Sequence, residues 1–154
     1  MKVLIVSQYF WPENFKINDL SEGLTERGLD ISVLTGKPNY PEGVFFKNYS
    51  FFKRNKEKLN KIKIYRSPIF PRSNGSGFRL VLNYISFAFF ASIRLLFINQ
   101  KFDKIFVYEP SPITVGIPAI VAKYRFNAPI YFWVQDLWPE SISDAGGINN
   151  KKVI

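Results

Sequence analysis

Residues 4–14 read LIVSQYFWPEN and residues 130–141 read IYFWVQDLWPES. In each, an apolar run meets a polar pair, Ser7-Gln8 or Gln135-Asp136, and then Trp-Pro-Glu. An apolar run of four to six residues stopped by a polar pair and a proline reads as a buried strand that ends before a helix. If the two strands lie in one sheet, both turns open on the same edge of it.

Other strands follow the same rule. Asp30–Thr35 (DISVLT) and Lys104–Tyr108 (KIFVY) are apolar runs, and Lys61–Arg66 (KIKIYR) alternates strictly. Between them, Ile17, Leu20 and Leu24 mark one helical face over Ile17–Arg27, with Gly28 as its cap. Phe78–Ile98 is a long apolar helix. Ile113–Tyr124 is a third helix, in which Pro118 predicts a kink or a shifted start. Phe45–Asn60 is aromatic and basic without a clear period, and Gly36–Gly43 (GKPNYPEG) and Ser67–Gly77 read as loops. Alternating strands and helices, with strands apolar throughout, predict a doubly wound α/β domain built on a parallel sheet. Ligands bind such sheets beyond the carboxyl ends of the strands. Ser7-Gln8, Glu109 and Gln135-Asp136 all fall there.

Composition narrows the chemistry. The 154 residues include no Cys and no His, so a disulfide framework, a Cys/His metal site and His-based acid–base catalysis are excluded. The N-terminal run has one basic residue and no small-residue cleavage site, so it reads as a strand and not a secretory signal. A cytosolic chain, or one on the cytosolic face of a membrane, is expected. No glycine stands between Ser7 and Asn18, which argues against a dinucleotide cofactor. The formal net charge of +9 is concentrated: from Lys47 to Arg79, ten basic residues stand against the single acid Glu57. Such a block points to a polyanionic partner, or else to a solvated loop.

Candidate site residues cluster at the strand ends. Asp136 and Glu109 are carboxylates that could hydrogen-bond a substrate hydroxyl or take its proton. Asp136 could equally cap a helix made from LWPES, and Glu109 could be a solvated strand-end carboxylate. Trp11 and Trp138 could be platforms for sugar rings or lids on the core. The helix start after Pro12 could present its amides to an anion with Lys16 in its first turns, or Glu13 or Asn14 could simply cap it.

The helix Phe78–Ile98 carries its polar residues Arg79, Asn83, Ser86 and Arg94 on one stripe. Its apolar arc is wider than one sheet contact needs. A fully buried helix finds little to bury it in so small a domain. A membrane span is disfavoured by Arg94, by the polar stripe and by a position between two strands of one sheet. The adopted reading is a helix lying on a membrane surface. Phe89 and Phe90 then lie on its apolar side, and Lys53, Arg54, Lys56, Lys58 and Lys61 sit on anionic headgroups.

MKVLIVSQYFWPE, the run LTERGLDISVLTGKPNYPEG and YFWVQDLWPES together resemble the acceptor-side domain of bacterial GT-B glycosyltransferases of family 4, over the whole chain. The type in question builds colanic acid, capsule and O-antigen, a lipopolysaccharide component, and includes L-fucosamine transferases. The resemblance implies one of two Rossmann-like domains facing each other across a cleft. It implies an acceptor sugar on polyprenyl diphosphate, peripheral docking on the cytoplasmic face of the inner membrane, and a nucleotide-sugar donor, a UDP-sugar. Transfer usually retains configuration and needs no metal, and this domain binds no cofactor. By position, Trp11, Glu13 and Asn14 border the donor phosphates and the acceptor, Asn39 and Tyr40 flank the acceptor, and Gln135 and Asp136 stand near the reacting sugar. Donor-contacting carboxylates in a Glu-x7-Glu motif belong to the second domain, so residues 1–154 are expected to be a truncated acceptor-side domain, inactive alone. Many relatives have His where this chain has Gln135, and Gly-His where it has Gly28-Leu29. The rival expectation is a small basic α/β module that binds nucleic acid through the basic block and stacking on Phe51, Phe52 and Tyr65. The long apolar helix, which such a module does not need, makes nucleic acid the less favoured partner.

Overall fold

The computed structural model describes residues 1–73, 77–110 and 112–135. Asp136, Trp138 and the possible LWPES cap therefore lie outside the described residues. Among the described residues six strands form one sheet: β1 (Lys2–Val6), β2 (Asp30–Gly36), β3 (Lys56–Leu59), β4 (Ile62–Ser67), β5 (Lys104–Glu109) and β6 (Ile130–Val134). Their order is β3-β4-β2-β1-β5-β6. All neighbours pair in parallel except β3 and β4, which form an antiparallel hairpin. The fold is the expected doubly wound, Rossmann-like α/β arrangement. From β1 the chain winds outward to β2 and β4, then returns to the other side of β1 for β5 and β6. The switch point thus lies between β1 and β5.

Side-chain alternation explains why both faces are covered. Leu4 and Val6 of β1 point to one side, with Leu34, Ile105 and Val107; Val3 and Ile5 point to the other, with Ile31, Val33, Ile62 and Ile64. The second side is closed by α1 (Lys16–Glu26) through Ile17, Leu20 and Leu24. The first is closed by α2 (Gly77–Leu96) and α3 (Gly116–Phe126), which pack against each other and bring Phe87, Ala91, Leu95, Ala119 and Ala122 to the sheet. A fully buried aliphatic or Phe side chain is worth about 1.5–3 kcal/mol over an exposed one, so the inner strands β1, β2 and β5 gain on both faces, whereas the edge strands β3 and β6 keep exposed residues.

Local signals set the helix ends. Past α1, Gly28 has φ +86°, and the amides of Gly28 and Leu29 donate to Thr25 and Leu24. Pro118 shifts the start of α3 rather than kinking it. A 3-10 turn, Ile113–Val115, leads into the α-helix, leaving Pro118 in the first helical turn where its missing N–H costs nothing. The run Phe45–Asn60, expected to be irregular, contains β3. Its turn is the pair Asn60-Lys61, with Asn60 at φ 51°, a left-handed conformation that asparagine tolerates.

Gly43 joins the loop after β2 to the loop after β4. Its amide donates to the Asn39 carbonyl at 2.7 Å, and its carbonyl accepts the Ser73 amide at 2.7 Å. It has φ +74°, and a Cβ there would lie 2.1 Å from the Ser73 carbonyl oxygen. Gly43→Ala is therefore expected to cost about 1–3 kcal/mol, the range for a strained backbone site. Gly77→Ala, with nothing within 4 Å of the added carbon, serves as the control and should be neutral or slightly stabilising. Thermal unfolding of the two variants checks this.

Candidate functional site

The carboxyl ends of β1, β2, β4 and β5 meet in a set of buried polar groups. After β1, the Ser7 hydroxyl donates to the Tyr9 carbonyl at 2.7 Å, and Gln8 Nε2 donates to Asn83 Oδ1 at 2.8 Å. After β2, the Thr35 hydroxyl and the Gly36 amide both reach the Gln8 carbonyl. Asn83 of α2 donates to the Phe70 carbonyl at 2.6 Å and to Asn39 Oδ1 at 3.4 Å. The Ser86 hydroxyl accepts the Phe70 amide at 2.9 Å. One helix thus ties together the loops after β1, β2 and β4.

Glu109 closes β5 and is fully buried, so it is not the solvated strand-end carboxylate that was one alternative. Gln135 extends β6 by donating its amide to the Glu109 carbonyl at 2.9 Å. Its side-chain oxygen accepts the Tyr108 hydroxyl at 2.9 Å.

Glu13 was a substrate-binding candidate or a helix cap, and it is neither open to solvent nor at the cap. It is 2% exposed. Oε1 accepts the amides of Asn39 and Tyr40, each at 2.8 Å, and Oε2 accepts the Phe10 amide at 3.3 Å. The N-cap position of α1 is Phe15, without a side-chain cap bond. Asn14 and Lys16 are exposed beside it. The Glu13 carboxylate is a clamp that fastens the Trp11–Asn14 loop to the Asn39–Tyr40 loop. Burial raises its pKa to about 7, against the opposing pull of the three amides and of Arg66.

Beyond the clamp lies a cleft of about 200 Å³, lined by Tyr9, Phe15, Tyr40, Arg72, Tyr84 and Pro110. Tyr9 follows β1 and Pro110 follows β5, so the cleft opens at the switch point. Tyr9 and Phe15 stack at 4.9 Å, and Tyr40 tilts against both at 5.7 and 5.4 Å. Of these residues, sequence reasoning found only Tyr40. Tyr9, Phe15 and Tyr84 carried no motif, and Arg72 was one more cation in the block. A second cleft, of about 220 Å³, lies at the opposite edge against Glu22, Thr25, Glu26, Asn60, Lys61 and Ile62. It is remote from the strand-end residues.

The basic block divides. Arg66 is fully buried, paired with Glu57, and donates to the carbonyls of Gly36 and Trp11. Trp11 itself stands at the rim, partly exposed. Lys37, also buried, donates to the Lys53 carbonyl and to Asn55 Oδ1. Burial, with Arg66 and Arg94 nearby, lowers its pKa to about 8. Arg54 turns to Glu57 at 3.3 Å. Lys56 pairs across the hairpin with Tyr65 and Lys58 with Lys63, so both project to the α2 side, where Tyr65 packs. Lys61 does not join them: it lies in the cleft beside α1, on the other side of the sheet.

Of the polar stripe of α2, Asn83, Ser86 and Arg94 face inward, whereas Arg79 is exposed. Asn83 and Ser86 are buried, and Arg94 donates to the Asn55 carbonyl at 2.8 Å. The outward stripe is apolar: Phe78, Val81, Ile85, Phe89, Ile93 and Leu96, with Phe89 59% exposed. Beside it, Ile113, Ile117, Ile120 and Tyr124 form a second exposed apolar stripe on the 3-10 turn and α3, which the sequence reading did not single out. Phe90 is half-buried, in a ring cluster with Phe51 at 5.3 Å and Phe89 at 5.2 Å. By length and composition α2 could cross a membrane, but its inner face is packed on the sheet.

No protein-family model and no curated protein matches the chain. Among solved structures it is similar to the C-terminal domain of a hydrogenase from Pyrococcus furiosus, in two crystal structures. One has a TM-score of 0.53 at 14% identity, covering 85% of this chain and 89% of that one. The other has a TM-score of 0.52 at 13% identity, covering 86% and 90%. At these identities the likeness concerns the fold alone.

The Glu13 clamp gives a pH dependence with a definite sign. A carboxyl whose pKa is raised on folding, from 4.5 to about 7, holds more protons folded than unfolded between those values. Its contribution to stability is complete below pH 4.5 and is lost as pH rises through about 7. Glu13→Gln keeps an acceptor for the Asn39 and Tyr40 amides and removes the titration. Urea unfolding at several pH values should therefore show a flatter stability profile from pH 4.5 to 7 in the variant than in the parent.

Proposed function

We propose that this chain is the acceptor-side half of a membrane-associated glycosyltransferase of surface polysaccharide synthesis. In this reading its strand-edge cleft holds a lipid-linked sugar that receives a sugar from a nucleotide-sugar donor, a UDP-sugar. The donor is held by a second domain facing the cleft. The observation that carries the reading is the inverted polarity of α2. One helix turns Asn83, Tyr84 and Ser86 to the strand-end loops and the cleft, and Val81, Ile85, Phe89 and Ile93 to the outside. A cleft walled by the back of a helix whose front is apolar suits a substrate whose sugar is polar and whose anchor stays in lipid.

The sequence motifs add the family, and the geometry adds a physical reason for the membrane. Exposed contiguous apolar surface marks an interaction site. Here it covers exposed residues of α2 and α3, and Lys56 and Lys58 of the hairpin project to the α2 side. Arg94 binds α2 to the segment that carries them. Amphipathic helices with flanking lysines lie in the headgroup region, and each lysine adds about 1 kcal/mol on an anionic surface. A nucleic-acid module is less well supported. Phe51 packs with Phe70 and Phe90 and does not stand free as a stacking platform, which leaves Phe52, 80% exposed, as the free ring of the three that the nucleic-acid reading names. Asp136 remains the proposed polar or proton-accepting group for the acceptor hydroxyl, with Glu109, at the end of β5, as the second candidate and Trp138 as a proposed sugar platform.

Sedimentation with vesicles tests the reading. The chain is expected to bind phosphatidylglycerol-rich vesicles, less so at high salt, and to bind more tightly when they carry polyprenyl diphosphate N-acetylhexosamine than when they carry polyprenyl phosphate. Ile85→Ser with Phe89→Ser, both solvent-facing, should cut binding tenfold or more with the unfolding transition kept. Binding indifferent to lipid charge and to the sugar would overturn the reading, and a mobility shift with single-stranded DNA in its place would support the rival.

A further inference from the structure

We propose that the cleft at the switch point binds a sugar ring bearing an anionic group, phosphate or carboxylate, with Arg72 holding the anion and Tyr40 the ring.

The argument starts from the arginine. The Arg72 guanidinium carbon lies 5.4 Å from the Tyr40 ring centre, 5.8 Å from Tyr84 and 6.0 Å from Tyr9. Three rings therefore fix the position of a cation on a loop without regular structure. Arg72 Nη2 donates to the Tyr84 hydroxyl at 3.1 Å, which uses one of five guanidinium donors. Among the described residues no carboxylate pairs with Arg72. The nearby acid, Glu13, spends both its oxygens on backbone amides. A half-buried guanidinium held by neutral rings, with donors to spare, is complemented by a planar or tetrahedral oxyanion taking two of them.

The rest of the wall sets the ligand's shape. Tyr40 is 40% exposed and is braced by Tyr9 and Phe15, so its exposed part offers an apolar platform beside Arg72. The C–H face of a pyranose packs on such a ring. At about 200 Å³ the space suits one ring and one small anion, below the roughly 300–1,000 Å³ of sites for drug-sized ligands. Two backbone features hold the halves at a fixed spacing: the Glu13 clamp on the Tyr40 amide, and the Ser73-to-Gly43 bond one residue from Arg72. The choice of a sugar rests on the reading above. The anion rests on the surroundings of Arg72.

Calorimetric titration of the whole chain decides the matter, with four probes: N-acetylglucosamine 1-phosphate, glucuronate, N-acetylglucosamine and inorganic phosphate. At least one charged sugar is expected to bind ten times more tightly than both the neutral sugar and inorganic phosphate. Which charged sugar does so distinguishes phosphate from carboxylate. Arg72→Gln should remove that preference, reducing the charged sugar to the affinity of the neutral one. Tyr40→Ala, at a partly exposed side chain, should weaken the charged sugar tenfold and inorganic phosphate by less, since Arg72 keeps the Tyr9 and Tyr84 rings. Undiminished binding in Tyr40→Ala, or in a folded Arg72→Gln, would overturn the proposal, as would inorganic phosphate binding as well as either sugar. Vesicle binding through α2 with no binding of soluble charged sugars overturns this proposal alone. Charged-sugar binding with no attachment to vesicles overturns the membrane reading alone.

Discussion

The side chain of Asn83 holds the strand ends in register with one another. Its amide group donates to the Phe70 carbonyl and to Asn39, and its oxygen accepts from Gln8. Those partners sit on the loops after β4, β2 and β1. None of these loops has a core of its own, and each carries residues that line the cleft. A buried polar group left without a partner costs about 1–3 kcal/mol. Without this carboxamide, the Phe70 carbonyl would lose its donor, and the Gln8 amide would keep only a long bond to the Tyr9 hydroxyl. The position of Arg72, Tyr40 and Tyr9 around one opening therefore depends on an asparagine on the inner face of α2, together with the Glu13 clamp and the Ser73–Gly43 bond.

Most of the sheet was legible because parallel strands covered on both faces must be largely apolar, and β1, β2 and β5 are. β6 is as apolar and was read as buried, but it is an edge strand, and its residues Tyr131, Phe132, Trp133 and Val134 are exposed among the described residues. The hairpin strand β3 was not. KEKL has one apolar residue and no neighbour in sequence to mark it. It is a strand because Asn60 turns the chain back on β4, and because Glu57, opposite Ile64, meets the buried Arg66. An asparagine tolerant of positive φ was the available signal. In α2 the polar stripe was visible, but its direction was not. Periodicity shows that polar and apolar residues lie on different sides. It does not say which side the rest of the chain will occupy. The strand-end loops needed hydrogen-bond partners, and that demand turned Asn83 and Ser86 inward, while Arg79 stays exposed.

The site was legible only as an edge. Polar residues after β1, β5 and β6 marked it, and Tyr40 was named, yet the aromatic wall was hidden. Tyr9 and Phe15 sit among residues that look like the end of a strand and the start of a helix, and Tyr84 looks like helix core. Arg72 was indistinguishable by sequence from the solvated lysines of its block, although three rings surround it. Glu13 was noticed for the wrong reason. An acid that caps a helix faces that helix's amides, whereas this one stands two residues before the N-cap Phe15 and reaches across to the loop after β2. Such long-range pairings depend on the topology of the sheet and cannot be read from local spacing.

The antiparallel hairpin also decides where the sheet stops. A sheet edge is a template for another strand, and β3 presents that edge with Lys56 and Lys58 on one face and the half-shielded Glu57 on the other. A second copy approaching there would set lysine against lysine at cross-strand distance, about 5 Å. The repulsion acts within a screening length of roughly 8–10 Å at physiological ionic strength and about 3 Å at 1 M salt. The molecule's protection against edge-to-edge growth is thus electrostatic at this end. Concentrated salt, the usual remedy for a cationic protein that clings to polyanions, is the condition that weakens it.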